Sequence, residues 1–162
     1  MSIESRLHEV RNLSSIKELL TQSAEIFSDS PAYLVKNKRG GEYVPVTYMQ
    51  LKKDVDALGT KLLEMGLQGE KIAILGNNCY QWIVAYLAVV GGVGVAVPLD
   101  RELKKGEIEN LIDTAQCSCV FYTENYRDRC IIDNRIFCKT ANNYYLYSLD
   151  NYNNFIYKKR QL

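Results

Sequence analysis

The sequence predicts an α/β protein with an open, mostly parallel, doubly wound sheet and flanking helices, preceded by an N-terminal helix and a β-hairpin. Two observations support this fold class. From residue 46 to residue 122, apolar segments of helix length and of strand length alternate along the chain. Within them, residues 72–99 contain no charged side chain, and strands that are apolar at nearly every position belong in a parallel sheet covered on both faces.

The first elements are a helix and a hairpin. Ser15 and Glu18 have the spacing of a capping box, and the apolar residues that follow predict a helix over residues 15–27. Residues 31–36 and 42–47 indicate the two strands of a hairpin. Pro45 predicts an edge position for the second strand, because proline has no N–H to give to a sheet ladder.

A second helix begins at a capping box formed by Thr47 and Gln50 and carries one apolar stripe. Gly66 has the position of the glycine that ends a helix in left-handed conformation, with Leu67 packing back on the last turn. The βαβ unit comes next, with a strand over residues 72–75, a helix over residues 79–90 and a second strand that closes on Pro98.

A further helix over residues 102–114 and a strand over residues 117–122 complete the alternation. On that strand the spacing of Cys117 and Cys119 places both thiols on one face, as small buried hydrophobes. The five cysteines show no C-x-x-C spacing, and the N-terminus has no apolar signal-peptide region. The sequence therefore predicts free thiols and a cytoplasmic protein.

Composition excludes some classes of function. The chain has 162 residues and a net charge of +1, which gives no electrostatic case for binding nucleic acid or an anionic membrane surface. A transmembrane interpretation of residues 72–99 is disfavoured by the polar Gly-Asn-Asn turn and by the glycines that interrupt the helix. We therefore expect no transmembrane segment.

Two glycine-containing motifs invite a ligand-binding interpretation. The cluster at Gly91, Gly92 and Gly94 lies between a helix and the next strand, whereas nucleotide loops run from a strand into a helix. We interpret it as a helix stop and a close contact between helix and sheet. Residues 76–78, Gly-Asn-Asn, follow a strand and precede a helix, which is the right topology for ligand contact. They lack the second and third glycines of a dinucleotide fingerprint, so an N-cap with a tight turn is favoured and ligand contact stays the alternative. Trp82 fits the core or the seat of a neighbouring domain.

No catalytic constellation is present. His8 is the one histidine of the sequence, which disfavours a Ser-His-Asp or Cys-His catalytic arrangement. The sequence shows no spacing typical of paired catalytic carboxylates or of metal ligands. The sequence assigns no catalytic, cofactor-binding or metal-ligating residue.

The same segments resemble the adenylate-forming (AMP-binding) enzymes, and most of all the long-chain acyl-CoA synthetases, the fatty acid–CoA ligases. The resemblance covers residues 15–122 and rests on four elements in the family's order: VTYMQL at 46–51, KIAIL at 71–75, NCYQW at 78–82 and VGGVGVAVPLD at 90–100. The helix and strand over residues 107–122 also match. Gln81 stands where the family usually has Glu.

Membership would imply a two-step reaction with ATP, Mg²⁺ and coenzyme A as cofactors and a fatty or other carboxylic acid as substrate. The carboxylate would become an acyl-adenylate, and the thiol of coenzyme A would then displace AMP. The family's Ser/Thr/Gly-rich, lysine-containing phosphate loop has no counterpart in these 162 residues, nor do its later ribose-binding motifs and C-terminal domain. The fold is therefore expected to be incomplete relative to the family, with apolar surface exposed where the rest of the enzyme would pack.

The sequence divides into residues 1–122, the N-terminal subdomain, and residues 123–162, a divergent tail rich in Asn and Tyr. The tail fits either a polar surface segment or a frameshift or truncation. The leading hypothesis is an N-terminal fragment of an acid–CoA ligase that is inactive alone. The alternatives are a stand-alone, non-catalytic binding module that reuses this half-fold and the front of a carrier-protein adenylation domain.

Overall fold

The computed structural model describes residues 11–36, 41–132, 135–136 and 145–148. Five α-helices are found there, namely α1 (Ile16–Ile26), α2 (Tyr48–Glu64), α3 (Tyr80–Ala88), α4 (Lys105–Ala115) and α5 (Arg127–Cys130). The strands are β1 (Pro31–Lys36), β2 (Tyr43–Thr47), β3 (Lys71–Leu75), β4 (Val95–Leu99), β5 (Cys119–Tyr122), β6 (Ile131–Ile132), β7 (Arg135–Ile136) and β8 (Tyr145–Ser148). None of the described helices has the length and apolar character that crossing a membrane requires.

The central sheet has the order β4-β3-β5-β8, and all of its neighbouring strands run parallel. Strands β1 and β2 form a separate antiparallel hairpin, as do the two short strands β6 and β7. The α/β class, the parallel doubly wound sheet and the N-terminal helix and hairpin are thus confirmed. Strand β8 lies in the segment that the sequence describes only as a tail, and the proposed division at residue 122 stays a prediction.

The two faces of the sheet are covered by two separate apolar clusters. On β3, Ile72 and Ile74 pack in the cluster beneath α2 and α3, whereas Ala73 and Leu75 pack in the cluster beneath α4 and α5. Successive side chains of a strand point to opposite faces, so a strand covered on both sides must be apolar throughout. All four of these side chains are fully buried, which explains the uncharged run that the sequence shows there.

The predicted helix ends are mostly as expected. The side chain of Ser15 accepts from the backbone N–H of Glu18, and that of Thr47 accepts from Gln50. Gly66 adopts a φ of +77° just after α2, and the N–H of Leu67 returns to the carbonyl of Leu62. Leu67 is fully buried, so the hydrophobic contact that closes this helix end is confirmed.

Other boundaries differ from the prediction. Helix α3 gives way to a π-turn over Val89–Val93, and Cys79 rather than an asparagine is its N-cap residue. Helix α4 begins three residues later than expected, after the N-cap Lys104. The expectation for Cys117 and Cys119 is wrong in one respect: both thiols are buried, but they lie in opposite clusters. Strand β5 begins only at Cys119, and the N–H of Cys117 still bonds to the end of α4, at Ile112.

The glycine cluster after α3 lets two backbone segments meet. A Cβ atom on Gly94 would lie 2.1 Å from the carbonyl oxygen of Glu70, which itself accepts the N–H of Val95 at 2.9 Å. Gly92 has a φ of +133°, which an L-residue with a side chain rarely adopts. The interpretation of these glycines as a helix stop is therefore confirmed, whereas the expected close contact between helix and sheet is wrong: the close approach is between Gly94 and the loop before β3.

Candidate functional site

The carboxyl ends of β3 and β5 form the point at which the strand order of the sheet reverses. Strand β4 follows β3 in the chain and lies on one side of it, and β5 comes next but lies on the other side. In open α/β sheets, ligands bind in the crevice outside the strand ends at this reversal. Residues 76–78, which the sequence singles out, and the segment that follows β5 meet there, so this is the candidate functional site.

Thr123, directly after β5, occupies the crevice. Its backbone N–H extends the parallel ladder by donating to the carbonyl of Leu75, at 3.1 Å. Its Oγ1 accepts the backbone N–H of Asn77, also at 3.1 Å. A Cβ atom on Gly76 would lie 2.8 Å from the Thr123 side chain, so the loop after β3 needs glycine at this position. Thr123 is only 4% exposed.

The side chain of Tyr126 contacts the same loop at Asn77. Its hydroxyl donates to the side-chain oxygen Oδ1 of Asn77 at 3.2 Å, and Arg129 lies over its ring at 5.2 Å from the centroid. Asn77 is therefore held through its backbone and its side chain by two residues from beyond β5. Residues 76–78 form a bend that is fixed by Thr123, a residue 46 positions away from Asn77. The predicted N-cap within residues 76–78 is wrong, because Cys79 is the N-cap residue of α3.

The cluster supplies hydrogen bonds. Thr123 and Tyr126 contribute their hydroxyl groups, and Asn77 contributes its backbone N–H and its side-chain oxygen. The arrangement can fix the loop that leads into α3, and it leaves the reversal point filled by the protein's own side chains. Sequence reasoning missed Thr123 and Tyr126. A polar residue directly after a fully apolar parallel strand is the signal that could have pointed to Thr123.

The thiols of Cys117 and Cys130 are not activated. Burial raises the pKa of Cys117 to about 11, against a smaller lowering by Lys71, and burial raises the pKa of Cys130 to about 12. Thiols that stay protonated near neutral pH are poor nucleophiles and poor metal ligands. In the described ranges no three His, Cys, Asp or Glu side chains cluster closely enough to hold a metal ion. His8 and Cys138 lie outside the described residues.

Trp82 and the first turn of α3 border a groove beside this site. The groove has a volume of about 740 Å³ and runs between β1, at residues 33–36, and residues 78–83. The indole ring stacks on Tyr86, with centroids 5.5 Å apart and planes 9° apart, and is only partly buried against the core. The structure thus places Trp82 at the margin of the core, where one face of the groove is formed.

Comparison with known proteins gives matches that share this fold. The model of the family described as "AMP-binding enzyme" matches residues 20–146. Long chain acyl-CoA synthetase 5 of Arabidopsis thaliana is 35% identical over 91 residues, which cover 56% of this chain and 14% of that protein. The chain spans less than a fifth of the length of three curated relatives that it matches, at 14%, 16% and 18%.

Solved structures share the fold at lower identity. The N-terminal domain of FACL13 from Mycobacterium tuberculosis matches with a TM-score of 0.65 and 20% identity, over 72% of this chain and 29% of that one. The anthranilate CoA ligase AuaEII, in complex with anthranoyl-AMP, matches with a TM-score of 0.74 and 14% identity, over 91% of this chain and 28% of that one.

Proposed function

The chain belongs to the AMP-binding enzyme family, and from this premise we propose that it forms the front part of an ATP-dependent acid–CoA ligase. In the proposed reaction a carboxylate oxygen attacks the α-phosphorus of ATP, which forms an acyl-adenylate and releases pyrophosphate. The thiolate of coenzyme A then attacks the acyl carbonyl, which forms the thioester and releases AMP. A fatty acid is the proposed substrate class.

The observation that carries this proposal is the family match over residues 20–146, which includes β3, β4 and β5 of the parallel sheet completely and ends within β8. The curated relatives named as long-chain acyl-CoA synthetases support the choice of a fatty acid. Since the chain spans a small part of those proteins, the activity is proposed for the polypeptide to which this sheet contributes.

The described residues do not fit ATP or Mg²⁺ by themselves. The reversal point of the sheet, where a nucleotide would be expected in a doubly wound fold, is filled by Thr123 and closed by the Asn77–Tyr126 hydrogen bond. Among the described side chains no group of three His, Cys, Asp or Glu residues that could hold a metal ion lies there. The guanidinium of Arg129 lies over the ring of Tyr126. The proposed role of this sheet is to position the loop before α3 and to support the rest of the ligase.

We further propose that these 162 residues do not complete the reaction alone. Transfer of an adenylyl group depends on donors aimed at the developing charge, and removal of one such donor already costs roughly 100- to 1000-fold in rate. The sequence contains no Ser/Thr/Gly-rich run with a lysine that could supply them. A cytosolic location is proposed as well, supported by the free thiols Cys79, Cys117, Cys119 and Cys130.

ATP–pyrophosphate exchange with a fatty acid tests the function. The assay compares the chain alone with a fusion in which this chain replaces the matched segment of the Arabidopsis long chain acyl-CoA synthetase 5. We expect exchange from the fusion and none from the chain alone. A folded fusion without exchange for any acid would contradict the ligase proposal, and exchange by the chain alone would contradict the proposed incompleteness.

The fusion needs matched variants. Gly94→Ala places a Cβ 2.1 Å from a backbone oxygen, so it should abolish exchange by disrupting the sheet, whereas Gly106→Ala meets nothing within 4 Å and should leave exchange unchanged. Equal activity of both fusions would show that the sheet contributed by this chain is not needed.

A further inference from the structure

The groove between β1 and α3, here called the β1–α3 groove, has an unpaired strand edge as one wall. Within the described residues, β1 pairs with β2 alone. Leu34 lies opposite Pro45, and proline within a strand is confined to positions where its nitrogen faces away from the partner strand. A pair with that orientation exchanges no hydrogen bonds. The backbone N–H and C=O groups of Leu34 and Lys36 consequently point away from β2 to the open edge.

The wall opposite β1 is formed by the aromatic side chains of Tyr80 and Trp82, and contacts with neighbouring side chains fix both rings. Tyr80 packs edge-to-face on Tyr33, with centroids 6.0 Å apart, and its hydroxyl donates to Oδ2 of Asp54 in α2 at 2.7 Å. Trp82 is fixed by its stack on Tyr86. The groove is therefore preformed, with apolar rings opposite a row of backbone hydrogen-bonding groups.

The residues that line the groove carry one positive charge. Lys36 is the one charged residue among those that line it, and no carboxylate lies within salt-bridge distance of its ammonium group in the described part of the chain. The ammonium group instead lies over the ring of Tyr43, 4.5 Å from the centroid. A matching occupant is apolar along most of its length and acidic at the end that faces Lys36.

The matched structures indicate where such an occupant comes from. This chain accounts for 29% of the FACL13 domain and 28% of AuaEII, so about 70% of the polypeptide that shares a structure with this sheet lies elsewhere in those chains. Leu34 is 61% exposed and Tyr43 60% exposed, which is a large exposure for apolar and aromatic side chains on one hairpin.

We propose that an extended segment of the ligase polypeptide, from outside these residues, adds to β1 as a third strand in the β1–α3 groove. Its backbone pairs with Leu34 and Lys36, its apolar side chains contact Tyr80 and Trp82, and an acidic residue pairs with Lys36. The inference rests on the proposed function for the source of the segment. It assigns to the first turn of α3, which carries Trp82, the role of binding that segment.

Peptide binding to the full 162-residue chain tests this. The probes are overlapping 12-residue peptides of the Arabidopsis long chain acyl-CoA synthetase 5 from outside its matched segment. Trp82 is the single tryptophan, so its fluorescence reports directly on the groove. We expect peptides from one segment to shift the emission to the blue and to protect the amides of Leu34 and Lys36 from hydrogen exchange.

Two controls separate strand addition from other contacts. The binding peptide, N-methylated at alternate residues, should bind at least tenfold more weakly, and so should the unmodified peptide to the variant Leu34→Pro, which removes one outward N–H. Exchanging the acidic residue of the peptide for its neutral amide should weaken binding and abolish the salt dependence that the pair with Lys36 contributes.

Absence of binding by every peptide at millimolar concentration would overturn the proposal, as would binding that protects amides outside β1 or that tolerates N-methylation. None of these readouts requires ATP chemistry, so they can fail while pyrophosphate exchange by the fusion succeeds. Conversely, if a peptide binds but the fusion shows no exchange, strand addition in the β1–α3 groove is supported and the proposed ligase function is contradicted.

Discussion

The backbone N–H of Asn77 donates to Oγ1 of Thr123 over 3.1 Å, although 46 residues separate the two in sequence. This bond joins the loops that leave two neighbouring parallel strands, at the position where a doubly wound sheet would ordinarily receive a ligand. Thr123 is almost fully buried and Asn77 is half-buried, so the bond is partly shielded from water and its loss leaves the Asn77 N–H without this acceptor.

Thr123→Val should therefore destabilise the chain by about 1–3 kcal/mol, since valine keeps the volume and removes the acceptor. Thr123→Ser retains the hydroxyl and should lose less. Urea unfolding followed by far-UV circular dichroism measures both. Equal stability of the Val and Ser variants would show that packing, and not this hydrogen bond, holds the loop.

Gly94→Ala should destabilise the chain by at least about 3 kcal/mol, because the new Cβ would lie 2.1 Å from the carbonyl oxygen of Glu70 and backbone cannot yield as a side chain does. The control is Gly106→Ala in the first turn of α4, where a Cβ meets nothing within 4 Å. Alanine there should stabilise by up to about 1 kcal/mol. Thermal unfolding of the two variants in parallel decides the matter, and a stable Gly94→Ala protein would refute the close contact.

Leu58→Ala should cost about 2–5 kcal/mol, because Leu58 is fully buried between α2 and the sheet and its removal leaves a cavity. Leu63 lies on the same helix but is 44% exposed, so Leu63→Ala should change the free energy of unfolding by less than about 0.5 kcal/mol. Chemical unfolding of both variants gives the comparison, and similar losses would mean that α2 packs through a different face.

The buried thiols should make the chain sensitive to alkali. Burial raises the pKa of Cys117 to about 11 and of Cys130 to about 12, from an ordinary value of 9.0. Below pH 9 both states hold these protons and stability is unaffected. Above it the unfolded chain loses them first, so stability should fall between pH 9 and about 11.

The variant Cys117→Ala/Cys130→Ala should show a shallower fall in stability across this range than the parent chain. Thiol labelling at pH 8 provides a second measurement, in which the half-exposed Cys79 should react faster than the buried Cys117, Cys119 and Cys130. An unchanged pH profile in the double variant, or rapid labelling of Cys130 in the native state, would contradict the assigned burial.

The elements of this fold were predictable where their cause is local. The apolar stripe of α2 and its end at Gly66 follow from helical spacing and from a residue that tolerates positive φ. The uncharged run over β3 follows from burial on both faces. The family resemblance at residues 46–100, which the family match includes, was visible for the same reason, because its motifs are contiguous segments.

The sequence by itself thus determined the class of fold, the order of its helices and strands as far as β5, and the family. Only the tertiary structure decided that Thr123 fills the reversal point, that Gly94 meets Glu70 and that Cys117 and Cys119 lie on opposite sides of the sheet. Each of these depends on which strands become neighbours and on where a strand begins, and both are set by packing between segments distant in the chain. A periodic pattern records which face of an element is buried, but it carries no information on which other element buries it.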